Sequence, residues 1–197
     1  MFENVCTIII IKLFMLYKLA HIILHKYPRL WEWIEEVNSF LFYLRYGRRL
    51  RHLDGQATIQ DAQALADFFQ RQPENVYTFF HPHAFDIRTL TKLLRRKSMV
   101  MHVIYEDNQI IGYCFLRCFF IGKAYRGRIV DASKQGKGLG KALGIWLNEA
   151  GQCLQIRIFT TINKNNIASI RAAQAHSTLK PVSEMENGDT LYECIPK

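Results

Sequence analysis

"RIVDASKQGKGLGKALG", residues 128–144, passes from an apolar, strand-like run through a glycine-rich turn into an apolar, helix-like run. The turn holds Gly136, Gly138 and Gly140, with lysines among them. Glycine lets successive backbone N–H groups turn inward because no Cβ is in the way. The helix that follows brings the positive end of its dipole to the same point. The stretch therefore predicts a backbone seat for a phosphate group.

The spacing of these glycines separates three kinds of phosphate-binding turn. A Walker A loop needs G-x-x-x-x-G-K-[ST], but Gly136 and Gly140 are one residue too close, and Lys141 is followed by Ala142. A dinucleotide-binding turn needs G-x-G-x-x-G, and from either possible start its third glycine position holds a lysine or a leucine. The pattern [Q/R]-x-x-G-x-[G/A] is met in full by residues 135–140, which predicts a seat for a pyrophosphate.

Length and composition limit the class of protein. The 197 residues are enough for one domain with a proper core and an extension. The formal net charge of +9 favours anionic partners, but the cations are scattered, so no specific nucleic acid is expected. The cysteines number five and form no CxxC pair, which argues against a disulfide framework or structural zinc site and favours a reducing compartment.

The hydrophobic periods divide the chain into a helical extension, residues 1–47, and one α/β domain, residues 48–197. In the domain, a hairpin turns at Asp107 and Asn108. The predicted helices are residues 58–72, 85–96, 140–151 and 165–176, and the predicted strands are residues 48–54, 98–120 as the hairpin, 124–131, 154–162, 178–184 and 189–196.

The extension has two readings. Residues 5–24 are apolar and long enough to cross a membrane, but Lys12 and Lys18 argue against a simple span. After Pro28, tryptophan and tyrosine lie beside arginine at helical spacing, as in helices at membrane surfaces. A basic patch at residues 45–52 adds attraction to acidic lipid. Residues 1–52 are therefore predicted either to lie on an anionic membrane surface or to pack on the domain or on a second subunit, as in a homodimer.

Together the motifs resemble the GNAT superfamily of acyl-CoA-dependent N-acyltransferases, over roughly residues 48–197. Residues 128–144 look like the family's fourth strand, pyrophosphate loop and third helix. "TINKNNIASIRAAQ", residues 161–174, looks like its fifth strand and fourth helix. The order of the predicted elements matches the family order. The resemblance implies the α/β GNAT fold with a mixed sheet and direct transfer of an acetyl group from acetyl-CoA to an amine, with no metal.

The resemblance also implies which residues hold acetyl-CoA. The pantetheine arm lies between two splayed strands and pairs with the backbone at Ile129 and Val130. Asn166 begins the helix that contacts the arm, and Ser169 follows three residues later. The predicted pyrophosphate residues are Gln135, Gly136, Lys137, Gly138, Leu139, Gly140 and Lys141.

The chain departs from the family pattern at the groups that move protons. The tyrosine that many members use as general acid is replaced by Ala173, and His176, one helical turn on, is either a substitute or a cap. The fourth strand lacks a glutamate base. Tyr125 and Asp131 are its catalytic candidates, although Tyr125 also fits a core position and Asp131 also fits a loop cap.

A further candidate lies in "TFFHPHAFD", residues 78–86, where the family places its acceptor-binding loop. Histidine titrates near neutrality and suits the base that takes the amine proton. The histidine pair has no third ligand nearby, which argues against a metal site. We predict His83 as the base, with a structural cap as the alternative.

The predicted reaction is N-acetylation of a primary amine on a small molecule by an acyltransferase of the EC 2.3.1 class. The F-F-H-P-H-x-F stretch resembles bacterial GNAT proteins associated with surface polysaccharides. This favours an amino sugar of a nucleotide- or lipid-linked glycan precursor, acetylated in the cytoplasm or at the inner face of the membrane. The alternative is a catalytically weak CoA-binding module that acts as an interaction or sensor subunit.

Overall fold

The computed structural model describes residues 28–197, so the predictions for the apolar run before Pro28 lie outside the described residues. The chain divides into two compact units, Met1–Asn38 and Ser39–Lys197. Helix α1 spans Pro28–Leu50 and belongs to the second unit from Ser39 onward. The division into residues 1–47 and 48–197 stays a prediction.

The second unit holds the predicted α/β domain. Its further helices are α2 (Ala62–Gln70), α3 (Ile87–Arg95), α4 (Leu139–Leu154) and α5 (Ile167–Gln174). Its strands are β1 (Met99–Glu106), β2 (Gln109–Phe119), β3 (Lys123–Val130), β4 (Arg157–Asn163), β5 (Ser177–Glu184) and β6 (Asp189–Pro196). Short 3₁₀ turns span Ile59–Asp61, Glu74–Phe79 and Ala132–Lys134.

The six strands form one mixed sheet in the order β1-β2-β3-β4-β6-β5. Neighbouring strands are antiparallel except β3 and β4, which run parallel. This parallel ladder is short, because only residues 123–125 pair with residues 157–159. On its other side β3 pairs with β2 along its whole length, from Lys123 to Val130. The predicted mixed α/β fold is confirmed.

Helices cover both faces of the sheet, which explains why β2 is apolar and buried along most of its length. Alternate side chains of a strand point to opposite faces. Cys114 and Leu116 belong to the core that α1 and α4 close, with Phe42, Tyr46, Leu143, Leu147 and Leu154. Tyr113 and Phe115 belong to the core that α2 and α3 close, with Leu65, Phe68, Phe69, Leu90 and Met101.

The predicted strand over residues 48–54 is wrong. The buried residues Phe42, Tyr46 and Leu50 recur every four positions, so α1 extends as far as Leu50 to fill the core, and residues 51–54 form a turn and loop. The Gln56 side chain donates hydrogen bonds to the carbonyls of Leu50 and Leu53, at 2.9 and 2.8 Å, and satisfies carbonyls that the end of the helix leaves open. Gln56 itself forms a single antiparallel bridge with His102.

The other predicted helices and strands are confirmed, with ends that shift by a few residues. The hairpin turns at Asp107 and Asn108, both with positive φ. Among the described helices, none combines the length and the hydropathy that crossing a bilayer requires.

Candidate active site

The glycine turn leads directly into α4. Gly136 and Gly138 have φ values of +77° and +82°, a conformation that side-chain-bearing residues rarely adopt. Gly138 is the N-cap residue of α4. At both positions an added Cβ would meet no atom within 4 Å, so the space in front of the turn is open. The first N–H groups of a helix have no carbonyl partner in their own helix and bind anions well. The turn can therefore hold a phosphate group with its backbone.

A gap opens between β3 and β4 on the way to this turn. Their ladder ends at Tyr125 and Phe159, and residues 126–130 carry no ladder bonds to β4. Across the gap the Thr160 hydroxyl donates only a long, weak hydrogen bond to the Arg126 carbonyl, at 3.5 Å. The backbone groups of β3 that face β4 can thus pair with an extended ligand. Ile129 and Val130, predicted to contact the donor arm, lie on this segment.

Asn166 and Ser169 meet at the start of α5, just after β4. The Asn166 side chain accepts a hydrogen bond from the Ser169 backbone N–H at 3.0 Å. Asn166 is thus the N-cap of α5, as its residue type favours. Because β3 and β4 are parallel, their carboxyl ends lie at the same end of the sheet. The structure therefore brings the start of α5 and the glycine turn to that end, and their contacts with acetyl-CoA stay predictions.

His83 lies on the face of the sheet that α2 and α3 cover. Its ring is half-buried and makes edge contacts with the rings of Phe69, Phe85 and Tyr113. Its Nδ1 lies 2.9 Å from the Ala84 carbonyl, which can only accept, so Nδ1 carries the proton. Its Nε2 lies 3.0 Å from the Tyr113 hydroxyl and accepts that hydrogen bond.

Burial sets the charge state of this pair. Desolvation lowers the pKa of His83 below its usual 6.5, against the opposing effect of the hydrogen bond to Ala84. Desolvation also raises the pKa of Tyr113 well above its usual value, so its hydroxyl keeps its proton. His83 is therefore a neutral imidazole with its basic nitrogen directed at Tyr113, and it can act as a base when another donor replaces that hydroxyl.

Tyr125 lies on the same face of the sheet as His83. Its ring contacts Phe119 and Phe159, and 40% of the residue is exposed. Gly127 is the next residue of β3 on this face, and it pairs with Phe115, whose ring also contacts His83. A Cβ at Gly127 would stand 2.4 Å from the Phe115 ring, so that ring covers the strand directly. The structure thus brings His83 and Tyr125 to one face of the sheet, with the Phe115 ring against His83 and over Gly127.

Asp131 is the residue that directly follows β3. It caps the 3₁₀ turn and accepts hydrogen bonds from Arg71, Gln72 and Ser133. Burial alone would raise the pKa of Asp131, but the hydrogen bonds outweigh it and lower the pKa to about 2. A carboxylate with so low a pKa is a weak base. These contacts favour a structural role, and a catalytic role for Asp131 stays a prediction.

An open cavity of about 480 Å³ adjoins Asp131, and Arg71, Gln72, Ser133, Lys134 and Glu106 line it in part. Lys134 and Glu106 form an ion pair at its rim. Neither His83 nor Tyr125 lines this cavity. It borders the residues that precede the glycine turn and does not include the predicted acceptor site.

A buried polar cluster on the opposite face was not predicted as a unit. Ala173 and His176 of the α5 segment are buried. His176 Nε2 accepts a hydrogen bond from Arg128, and Asn148 and Ser177 complete its surroundings. Desolvation and the nearby arginines lower the pKa of His176 to about 3, so it is neutral and a poor general acid. The sequence does carry a signal for this cluster: "RGR", residues 126–128, places two arginines on one face of a strand that is otherwise mostly apolar.

Within residues 28–197, no group of three histidine, cysteine, aspartate or glutamate side chains is placed to hold a metal ion.

Comparison with known proteins adds the family. The model of the Acetyltransferase (GNAT) family matches residues 62–176, which is more than half of the chain. No functionally curated protein matches the sequence.

Solved structures share the fold. The protein yncA from Salmonella typhimurium, solved with its cofactor acetyl-CoA, is 20% identical, with 72% of this chain and 91% of that chain covered and a TM-score of 0.53. Ribosomal-protein-S5-alanine acetyltransferase from Vibrio fischeri is 17% identical, with 72% and 91% covered and a TM-score of 0.59. The aminoglycoside acetyltransferase AAC(6')-Ib, in complex with coenzyme A and kanamycin, is 16% identical, with 72% and 92% covered and a TM-score of 0.55.

Proposed function

Because the chain belongs to the acetyltransferase (GNAT) family, we propose that it transfers the acetyl group of acetyl-CoA directly to a primary amine. One observation carries the proposal: the strand that leaves its backbone open at residues 126–130 leads directly into the glycine turn. A ligand with an extended amide arm and a pyrophosphate matches both features. The structural relative solved with acetyl-CoA supports this donor.

In this proposal the chain's own residues have three roles: they bind the pyrophosphate, orient the pantetheine arm and accept the proton of the amine. Gly136 and Gly138 expose backbone N–H groups to the pyrophosphate. The open backbone at Ile129 and Val130 orients the arm and places an N–H where negative charge develops on the carbonyl oxygen. His83 takes the proton of the attacking amine at Nε2, after the amine has replaced the Tyr113 hydroxyl there.

The acceptor we propose is an amino group of a sugar in a glycan precursor. Two features support a polar small molecule: His83 and the exposed Tyr125 share one face of the sheet, and Tyr125 presents a ring on which a sugar can stack. AAC(6')-Ib was solved with an aminoglycoside, which carries amino groups on sugar rings. The Vibrio fischeri relative is named for a ribosomal-protein alanine, which makes a peptide amine the competing acceptor class.

Release of CoA tests the proposal. The full chain is assayed with acetyl-CoA over amino-sugar nucleotides, polyamines and peptides with free N-termini. We expect turnover with the amino-sugar nucleotides. Turnover with peptides alone would contradict the sugar acceptor but keep the acetyltransferase.

A second candidate function is a CoA-binding module without transfer. The buried Ala173 in place of an acid, together with the low pKa of Asp131, favours it. Binding of acetyl-CoA by calorimetry, without CoA release over the whole amine panel, would identify this module.

A further inference from the structure

Two arginines of β3 leave the same face of the sheet, one of them buried and the other largely covered. Arg126 is 7% exposed, and Arg128 is largely covered. They are two residues apart on a strand, so their Cα atoms are roughly 7 Å apart and their side chains leave the same face. That face packs against α4, since Arg126 donates a hydrogen bond to Asn148 of α4 at 3.2 Å.

Neither arginine has an acidic partner among residues 28–197. Arg126 donates to the neutral acceptors Asn148 and Ser177 and also interacts with the buried Cys194 thiol, which burial keeps protonated. Arg128 donates to the neutral ring of His176. A buried cation without a counter-charge is unfavourable, and two of them repel each other. Desolvation, together with the charge of Arg126, lowers the pKa of Arg128 to about 10.

Both arginines belong to the segment of β3 that carries no ladder bonds to β4. The ladder ends at Tyr125, so Arg126 is the first residue of the open segment. From Arg126 to Val130 the strand rises about 13 Å. Arg128 reaches from β3 to His176, which follows α5, the helix that begins just after β4. A donor held by the glycine turn at the far end would direct its reacting sulfur toward Arg126 and Arg128.

We propose that Arg128 and Arg126 form the site that receives the negative charge of the departing CoA sulfur, with Arg128 as the group in contact and His176 as its positioning residue. The inference rests on the proposed function. In the step, the amine nitrogen bonds to the acyl carbon, the carbon–sulfur bond breaks, and the electron pair leaves with the sulfur as a thiolate. The amine proton goes to His83, and the guanidinium keeps its own.

Electrostatic stabilisation, without a proton donor, fits the residues present. Ala173 has no hydroxyl, and His176 is neutral and shares its Nε2 with Arg128. A guanidinium that already lies in a water-poor site does not reorganise when the charge develops, which makes it effective. Arg126, two residues away on the same face of β3, adds a second positive charge near Arg128.

The experiment measures the acidity of the CoA thiol when CoA is bound to the full chain. The ultraviolet absorbance of the thiolate is followed over a pH titration for the wild type, Arg128→Met and Arg157→Met. Arg157 is the matched control, since it lies on β4, is exposed and pairs with Glu193. We expect the wild type and Arg157→Met to lower the pKa of the bound thiol by at least one unit, a tenfold preference for the thiolate. Arg128→Met should remove this shift.

A control must show that the wild type and Arg128→Met both fold and both bind the CoA skeleton. Desulfo-CoA lacks the sulfur, so it should bind the wild type and Arg128→Met with the same affinity. His176→Leu should reduce the shift, while His176→Gln, which keeps an acceptor for Arg128, should preserve most of it. Arg126→Met removes the second positive charge, so in this variant too the pKa of the bound thiol should be lowered less than in the wild type.

Two results would overturn the inference. The first is a bound thiol with the same pKa as free CoA, and the second is a lowered pKa that Arg128→Met leaves unchanged. In the first case, tighter binding of S-(3-carboxypropyl)-CoA than of S-butyl-CoA would show that the arginines serve a carboxylate on the acyl chain instead. Failure to bind CoA or desulfo-CoA at all would instead contradict the proposed function.

Discussion

His83 is held by two hydrogen bonds that fix which of its nitrogens can act as a base. The Ala84 carbonyl holds the proton on Nδ1, and Nε2 faces the Tyr113 hydroxyl. Aromatic rings on three sides keep the imidazole neutral by excluding water. The residue is therefore a base that needs no prior deprotonation at neutral pH, which matters for a reaction whose amine must lose a proton.

We expect His83→Gln to lower kcat/KM by roughly 100-fold, the usual effect of losing a general base. His81→Gln is the matched control, because His81 lies two residues away on the exposed side of the same turn, and it should leave the rate within about twofold. In the wild type the neutral form of His83 is active, so activity is lost as the pH falls through its pKa. Because burial lowers that pKa, the acid limb of the kcat/KM profile should lie below 6.5. An acid limb unchanged by His83→Gln would contradict the role.

Asp131 gives a stability prediction. Its folded pKa of about 2 is below the ordinary 3.8, so the carboxylate stabilises the fold above about pH 4, and this contribution is lost as the pH falls toward 2. Asp131→Asn should cost about 1–3 kcal/mol in the free energy of unfolding at pH 7, because Arg71 and Gln72 lose a charged acceptor. Urea unfolding of both proteins measures this. The difference should shrink by pH 3, and a difference independent of pH would show that the charge is not the cause.

At the scale of elements, the glycine turn and α4 work as one unit. The turn needs positive φ at Gly136 and Gly138, and α4 needs its first N–H groups to face the open space. Gly140 has neither requirement, since no positive φ is found there and an added Cβ would meet only Val130, at 4.0 Å. Glycine is therefore required by the backbone conformation at positions 136 and 138, but not at position 140.

The pair Gly138→Ala and Gly140→Ala tests this difference. An alanine in the left-handed region costs about 1–2 kcal/mol, so Gly138→Ala should weaken CoA binding by roughly 5- to 30-fold, as the turn relaxes to another conformation. Gly140→Ala adds the same methyl group without strain and should change the Kd by about twofold or less. Isothermal calorimetry with CoA gives both values. Equal losses for the two variants would indicate crowding of the ligand and not backbone strain.

At the scale of the whole molecule, most of the architecture could be predicted from hydrophobic period and turn chemistry. The α/β class, the hairpin at Asp107 and Asn108, and the helix after the glycine turn follow from local patterns that the sheet does not override. The strand predicted at residues 48–54 is wrong because a short segment with leucines among arginines fits a strand and a helix end equally well, and only the core position of Leu50 decides between them.

The site was less predictable, because its key contacts join residues far apart in sequence. His83 could be singled out by type, but its partner Tyr113 could not, since a tyrosine in an apolar strand carries no signal for a hydrogen bond 30 residues away. The sequence predicts Asp131 as either a cap or a base, and only its contacts with Arg71 and Gln72 favour the structural role. Long-range pairing of buried charges is a property of the fold and not of any local period.

Membrane association is a prediction for the whole chain. Phe40, Leu44 and Arg48 form an exposed stripe at four-residue spacing on α1, with Phe40 and Leu44 63% and 65% exposed. We expect the full chain to cosediment with vesicles that contain acidic lipid and not with neutral ones. The double variant Phe40→Ser and Leu44→Ser should bind the acidic vesicles at least about tenfold more weakly, since it removes two exposed apolar side chains that would be buried in the lipid. Equal binding by the double variant would exclude this stripe.

The short ladder between β3 and β4 has a consequence for the protein as a folded object. Three residue pairs join two antiparallel halves, β1-β2-β3 and β4-β6-β5, so much of the hydrogen bonding that would unite the sheet is left to whatever fills the gap. A donor bound there takes the place of missing backbone and becomes a component of the fold. By mass action the resistance of the chain to unfolding and proteolysis should then follow the concentration of that donor. The abundance of the protein in a cell would report on the supply of its own co-substrate.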